Sequence, residues 1–244
     1  ASGASLALDL DESIVSPQTT SIETGSIAAG ADDTTLTAPD GTNAFGEVEV
    51  SVTSLFTDIL EDAGTDGKAV RSNSWAISLK DAAGNVVAVA DTAAELTITD
   101  ADFAGVKSTL QVTNIGGAIN DPTIYLFQTA SGVIEGRVDI DGNGVFDDAQ
   151  GTALRVTLTG SDAKVEQILA VDHGATGGAD HDDAETLMIA DIPAVDNGDP
   201  TPPVATAGLS VTQTSTLTDG DTDTAEDTAT YNLTKDIVLE DDGP

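Results

Sequence analysis

The sequence predicts an all-β fold, an antiparallel β-sandwich with acidic loops and at most one or two short helices. Three observations carry this. Short β-prone runs recur at intervals of about 8 to 15 residues, the spacing of a sandwich rather than of βαβ units. Gly- and Asp-rich corners separate them. Apolar residues at helical spacing are almost absent.

Taken in order, Leu6, Leu8 and Leu10 alternate with small or acidic residues, as in a first strand. Residues 14–46 are polar and read as irregular. The alternation of Glu47–Val52 predicts a strand with one wet face. Leu55, Phe56, Ile59 and Leu60 have helical spacing, so a short helix is expected over 54–62. A strand over 69–79 contains the only Trp, Trp75, and Asp81–Asn85 is a hairpin turn from which 86–90 returns. Strands follow at 95–99 and 108–112, with one helical turn over 100–105 between them. The run 123–128 is strongly β-prone, and 133–138, 154–159 and 165–171 are further strands. A strand is expected over 187–192. The Pro-rich 193–204 is a rigid loop. Residues 205–217 and 231–239 complete the set. Nothing divides the chain, so 1–244 reads as one module.

With 43 Asp+Glu against 8 Lys+Arg, the formal net charge is −35. Self-repulsion of that size opposes folding. A 39% hydrophobic content with clear alternation argues against disorder, so bound cations are expected to neutralise the fold. The charge makes nucleic acid and anionic membrane poor partners, because phosphate contacts need Lys and Arg. No apolar run approaches the roughly 20 residues of a membrane-spanning helix. The absence of Cys excludes disulfides, thiolate nucleophiles and zinc–thiolate sites. No leader peptide is visible, which reads as a module of a larger protein.

The strongest chemical signal is Arg137–Asp148. Asp139, Asp141, Asn143, Asp147 and Asp148 offer hard oxygen ligands, Val145 adds a main-chain carbonyl, and Gly142 and Gly144 supply the bend. Oxygen-only ligands at positions 1, 3 and 5 point to Ca²⁺. The loop resembles the front of an EF-hand loop but has Gln150 where that motif ends in Glu. A second acidic corner carries Asp180, Asp182, Asp183 and Glu185, with His173 and His181 nearby. A third carries Asp219, Asp221, Asp223 and Asp227. Asp9, Asp11 and Glu12 near one end, and Glu240, Asp241 and Asp242 near the other, each offer half of a junction site that a neighbouring module in tandem would complete. Trp75, Tyr125, Phe127 and Phe146 read as core rather than as a ligand platform. No nucleophile elbow or phosphate loop occurs, and the expectation is a binding protein, not an enzyme.

Four short motifs, in order, carry a family resemblance: Leu8-Asp-Leu-Asp-Glu-Ser13, Val133-Ile-Glu-Gly-Arg137, Val171-Asp-His173 and Leu239-Glu-Asp-Asp-Gly-Pro244. They resemble the large β-sandwich modules of giant bacterial repeats-in-toxin (RTX) adhesins, and the resemblance spans most of the chain. It implies an extracellular, monomeric module at the bacterial surface, within a larger secreted adhesin active in cell adhesion and biofilm formation. Ligand-binding modules of that family capture a peptide by its free C-terminus, with Ca²⁺ bridging the carboxylate. The Asp139–Asp148 loop departs from the plain form of the module, which makes it, with the 172–185 corner, the expected binding end, and Arg137, Asp139, Asp141, Asp180 and Asp182 the expected ligand-binding residues. The alternatives are a structural extender stiffened by Ca²⁺ and a Ca²⁺-dependent glycan-binding module.

Overall fold

The computed structural model describes residues 8–11, 46–56, 70–90, 96–99, 101–112, 121–146, 151–169, 171–172, 184–190, 207–218, 220 and 222–240. Among these run twelve strands, two short 3-10 turns at Val52–Leu55 and Thr234–Asp236, and no α-helix. The all-β expectation holds.

The largest sheet has six antiparallel strands: β2 (Gly46–Ser51), β8 (Asp162–Gln167), β7 (Thr152–Thr159), β6 (Val133–Asp139), β5 (Asp121–Ala130) and β4 (Val106–Gln111), in that spatial order. A second sheet joins β11 (Thr224–Asn232), β10 (Gly208–Thr218) and β3 (Val70–Lys80), also antiparallel. In a third, β12 (Ile237–Glu240) lies between β1 (Leu8–Asp11) and β9 (Ala184–Thr186). The pairing of β1 with β12 is parallel and departs from the expected antiparallel pattern.

The alternation of β-branched and aliphatic residues decides which face is inside. Ile77 and Leu79 of β3 and Leu209 and Val211 of β10 join Ile124, Leu126, Ile134, Leu154 and Val156 of the large sheet in one buried cluster. Each such side chain removed from water contributes roughly 1.5–3 kcal/mol. Gly136 sits in this layer because there is no room for more. A Cβ there would come within 2.7 Å of Ile124 Cγ2 and 2.8 Å of Leu154 Cγ.

The opposite face of the large sheet is divided. On β6, β7 and β8 it carries a charge ladder: Glu135 binds Arg137 and Arg155, and Glu166 binds Lys164 and approaches Arg155 at 3.8 Å. On β5 it carries Tyr125 and Phe127, which join Phe103 and Phe146 in a second, aromatic cluster.

Several local expectations change. Of the helix expected over 54–62, 54 and 55 fall in the 3-10 turn Val52–Leu55 and 57–62 lie outside the described residues. The Asp81–Asn85 turn forms, but 86–90 do not return as a strand beyond a bridge between Lys80 and Val86. The reason is Gln128 of β5. Its Oε1 accepts the Leu79 N–H at 3.2 Å and its Nε2 donates to the Ile77 carbonyl at 3.4 Å, so a side chain takes backbone groups that a returning strand would pair. The chain instead bonds Ala90 N–H to the Gln128 carbonyl and crosses over the aromatic face. The strand expected over 95–99 is reduced to a bridge between Thr97 and Val145. The helical turn over 100–105 is a plain turn at 101–102. Of the strand expected over 187–192, 187–190 pair with β4 through a bridge between Ile189 and Ser108, and 191–192 lie outside the described residues. The last strand is broken. At the Thr234–Asp236 turn the Thr234 hydroxyl accepts the Leu209 N–H at 2.7 Å, and the chain passes from the second sheet to the third.

Candidate metal centre

The expected cation loop leaves the end of β6. A register shift between β6 and β7 at Gly136 and Arg137 precedes it, the kind of irregularity that redirects a strand. Asp139 is 5% exposed and organises the turn. Its Oδ1 accepts the N–H groups of Gly142 (2.8 Å) and Asn143 (3.1 Å), and its Oδ2 that of Gly144 (2.7 Å). Asp141 Oδ1 accepts the Asn143 N–H at 3.0 Å, and Asn143 Oδ1 accepts the Val145 N–H at 2.7 Å. Gly142 and Gly144 have φ of 74° and 79°, the left-handed region in which side chains with a Cβ are strained.

The far end of the loop is anchored. Ile98 N–H donates to the Gly144 carbonyl (2.9 Å) and Phe146 N–H to the Leu96 carbonyl (3.0 Å). The Phe146 ring is 1% exposed, with its centroid 4.8 Å from Tyr125, 5.7 Å from Phe127 and 5.8 Å from Phe103. Arg137, expected to face a ligand, is 6% exposed and turned to Glu135 through Nε (3.1 Å) and Nη2 (2.6 Å). Its Nη1 donates to the Phe146 carbonyl at 3.1 Å. In this arrangement Arg137 holds the loop against the sheet.

The donor set consists of hard oxygens, the chemistry that suits Ca²⁺. Asp139, Asp141 and Asn143 lie on one tight turn. Asp139 Oδ2 and Asn143 Oδ1 each accept one N–H and keep a lone pair for a cation. Asp139 Oδ1 accepts two, and both Asp141 oxygens are engaged by Asn143, Oδ2 by its side-chain amide at 3.2 Å. Val145 is on the same loop, with its backbone bridged to Thr97. Asp147 and Asp148, expected to close the coordination, lie outside the described residues. Among the described residues, no three acidic or His side chains converge in a ready metal cluster.

The other acidic stretches are only partly placed. Asp180, Asp182, Asp183, His173 and His181 lie outside the described residues, and Glu185 is placed through its backbone in β9, opposite Leu239. The third corner is the tip of the β10–β11 hairpin. Asp223 is exposed there, Asp227 sits on β11 with Oδ1 accepting the Thr228 N–H (2.8 Å), and Asp219 and Asp221 lie outside the described residues. Between the two ends, the parallel ladder pairs Asp9 with Val238 and Asp11 with Glu240, so two stretches expected to serve separate junctions lie side by side. Glu12, Asp241 and Asp242 are outside the described residues.

Two residues near the loop escape sequence reasoning. Asp121 of β5 lies in register with Asp139, and its Oδ1 accepts the Thr123 N–H at 3.0 Å. Glu135 anchors both Arg137 and Arg155. The available signal for Glu135 was an acid two residues before Arg137 in a β-prone run, spacing that puts both on one face of a strand.

No protein-family model, curated protein or solved structure matches this chain.

Proposed function

We propose that the chain is a calcium-dependent adhesion module of a giant bacterial RTX adhesin, secreted and displayed at the cell surface. In this reading the Asp139–Phe146 loop holds Ca²⁺ through Asp139, Asp141 and Asn143. An open position on the ion takes the carboxylate of a peptide or protein terminus on another cell. A cation is required for such a ligand, because a protein of charge −35 repels carboxylates and a bound Ca²⁺ reverses the local sign. The carrying observation is the Asp139 turn itself, oxygen-rich and held in shape by Gly142, Gly144 and Phe146.

A second reading, a structural extender whose Ca²⁺ stiffens the module, draws on the anchoring of the loop to Leu96 and Ile98. Two measurements separate them. Calorimetric Ca²⁺ titration of the wild type and of Asp141→Ala tests the site, and unchanged affinity in the variant removes both readings. Peptide- and glycan-array binding with and without chelator tests the ligand. Peptide binding lost in chelator supports the adhesion module, no binding in calcium leaves the extender, and binding that persists in chelator rejects the calcium bridge.

A further inference from the structure

A second feature lies across the aromatic cluster from the cation loop. Beside the start of β4, the edge strand of the large sheet, 86–88 and 101–106 form the walls of a cleft of about 300 Å³. Val86, Val87 and Phe103 line it, as do two carboxylates, Asp81 and Asp102. Its volume is at the lower end of the range for ligand pockets, roughly 300–1,000 Å³. Phe103 is a firm wall, braced edge-on by Tyr125 (5.7 Å) and Phe127 (5.6 Å). Val86 is 64% exposed, an unusual place for a large aliphatic side chain next to two acids. Asp102 makes no hydrogen bond or ion pair among the described residues. Asp81 stays ionised, because the main-chain and side-chain N–H groups of Asn85 hold its carboxyl below the usual range.

We propose that this cleft receives a lysine or arginine side chain from a partner protein. The aliphatic stem lies along Val86, Val87 and Phe103, and the cationic head meets Asp102 and Asp81. Long basic side chains bury their stems while keeping the head wet, which an open cleft with an acidic rim permits. An anionic occupant is excluded by the two carboxylates, and a purely apolar one leaves Asp102 without complement. A second copy of this chain is a poor donor. It has 8 Lys+Arg, and Arg137, Arg155 and Lys164 are already held in the charge ladder. The inference does not rest on the calcium reading, and calcium titration of Asp141→Ala tests that reading separately.

The probe is an acetylated, amidated Ala-Lys-Val peptide, followed by the amide shifts of the folded protein. Saturable shifts centred on 86–88 and 101–106 are expected. Norleucine in place of lysine keeps the stem and loses the charge, and about threefold in affinity. Diaminopropionate keeps the charge and loses the stem, and about tenfold. Val86→Ser and Asp102→Asn, both at exposed positions, each weaken lysine-peptide binding severalfold, while Asp162→Asn at the β7–β8 turn leaves it unchanged. Shifts spread evenly over the acidic surface, equal binding of the diaminopropionate peptide, or wild-type affinity in Val86→Ser would overturn the proposal.

Discussion

Two turns in this molecule begin with an aspartate that gathers backbone N–H groups, and they end differently. At Asp81, Oδ1 accepts the N–H groups of Ala83 (2.9 Å) and Asn85 (2.8 Å), and Oδ2 takes the Asn85 side-chain amide (3.1 Å). The acid and the turn satisfy one another through these three bonds. At Asp139 a similar collection of N–H groups is followed by Asp141 and Asn143, and the loop closes on a buried aromatic ring. The first turn is locally complete. The second strings together three oxygen-bearing side chains, each engaged by the loop's own N–H groups, and its far end depends on distant packing. One Asx turn is therefore only punctuation, whereas three oxygen-bearing side chains on one anchored loop suit a cation.

The largest expected effect tests the anchoring. Phe146→Ala removes a fully buried ring and should cost about 3–5 kcal/mol, read by chemical denaturation. A loss below about 1 kcal/mol would mean that the aromatic cluster does not hold the loop. Next comes the cation. Calcium at a hundredfold excess over its Kd should stabilise the protein by about 2.7 kcal/mol, an increment that chelator removes. Asp139→Ala should abolish this response and Asp81→Ala should keep it. If both variants respond alike, the two turns are equivalent and the comparison fails.

A smaller effect belongs to the Asp81 turn. Asp81→Ala should cost at most about 1 kcal/mol at neutral pH, since the carboxylate is solvated. The Asn85 hydrogen bonds lower its folded-state pKa below the ordinary 3.8, so its contribution is present above that value. It fades as the pH falls through the lowered value. Parallel acid titrations of the two proteins should converge there, and a gap that persists in stronger acid would show that charge is not the cause. The smallest effect lies at Tyr231, where burial first and then Asp236 raise the phenol to about 12. The raised value favours the neutral phenol in the fold, so this contribution is full below pH 10.0 and is lost as the pH rises towards 12. Ultraviolet titration of Asp236→Asn should show this tyrosine ionising nearer its ordinary value. An unchanged titration would leave burial as the whole cause.

Much of the scaffold was legible because its determinants are local. The β-prone run in β5 and the alternation in β2, β4 and β10 mark strands whose faces are set by their own sequence. The Asp139 turn was legible for the same reason, with two glycines at the positions that need positive φ. What escaped depends on partners far away in the chain. Nothing in 86–90 announces that Gln128 will occupy the edge of β3 and deny that segment a strand. Arg137 looks like a free cation in sequence, and only the β6–β7 pairing brings Arg155 to share Glu135 with it. Phe146 reads as a core residue, but not as the member of a separate aromatic layer that fixes the loop.

The parallel alignment of β1 with β12 has a mechanical consequence. Leu8 pairs with Ile237 and Asp11 with Glu240, so the start of one strand and the finish of the other lie at opposite ends of the ladder. Tension applied through the residues before Leu8 and after Glu240 pulls along the strands. The ladder is then loaded in shear, and its bonds share the load instead of parting one after another as in a peeled hairpin.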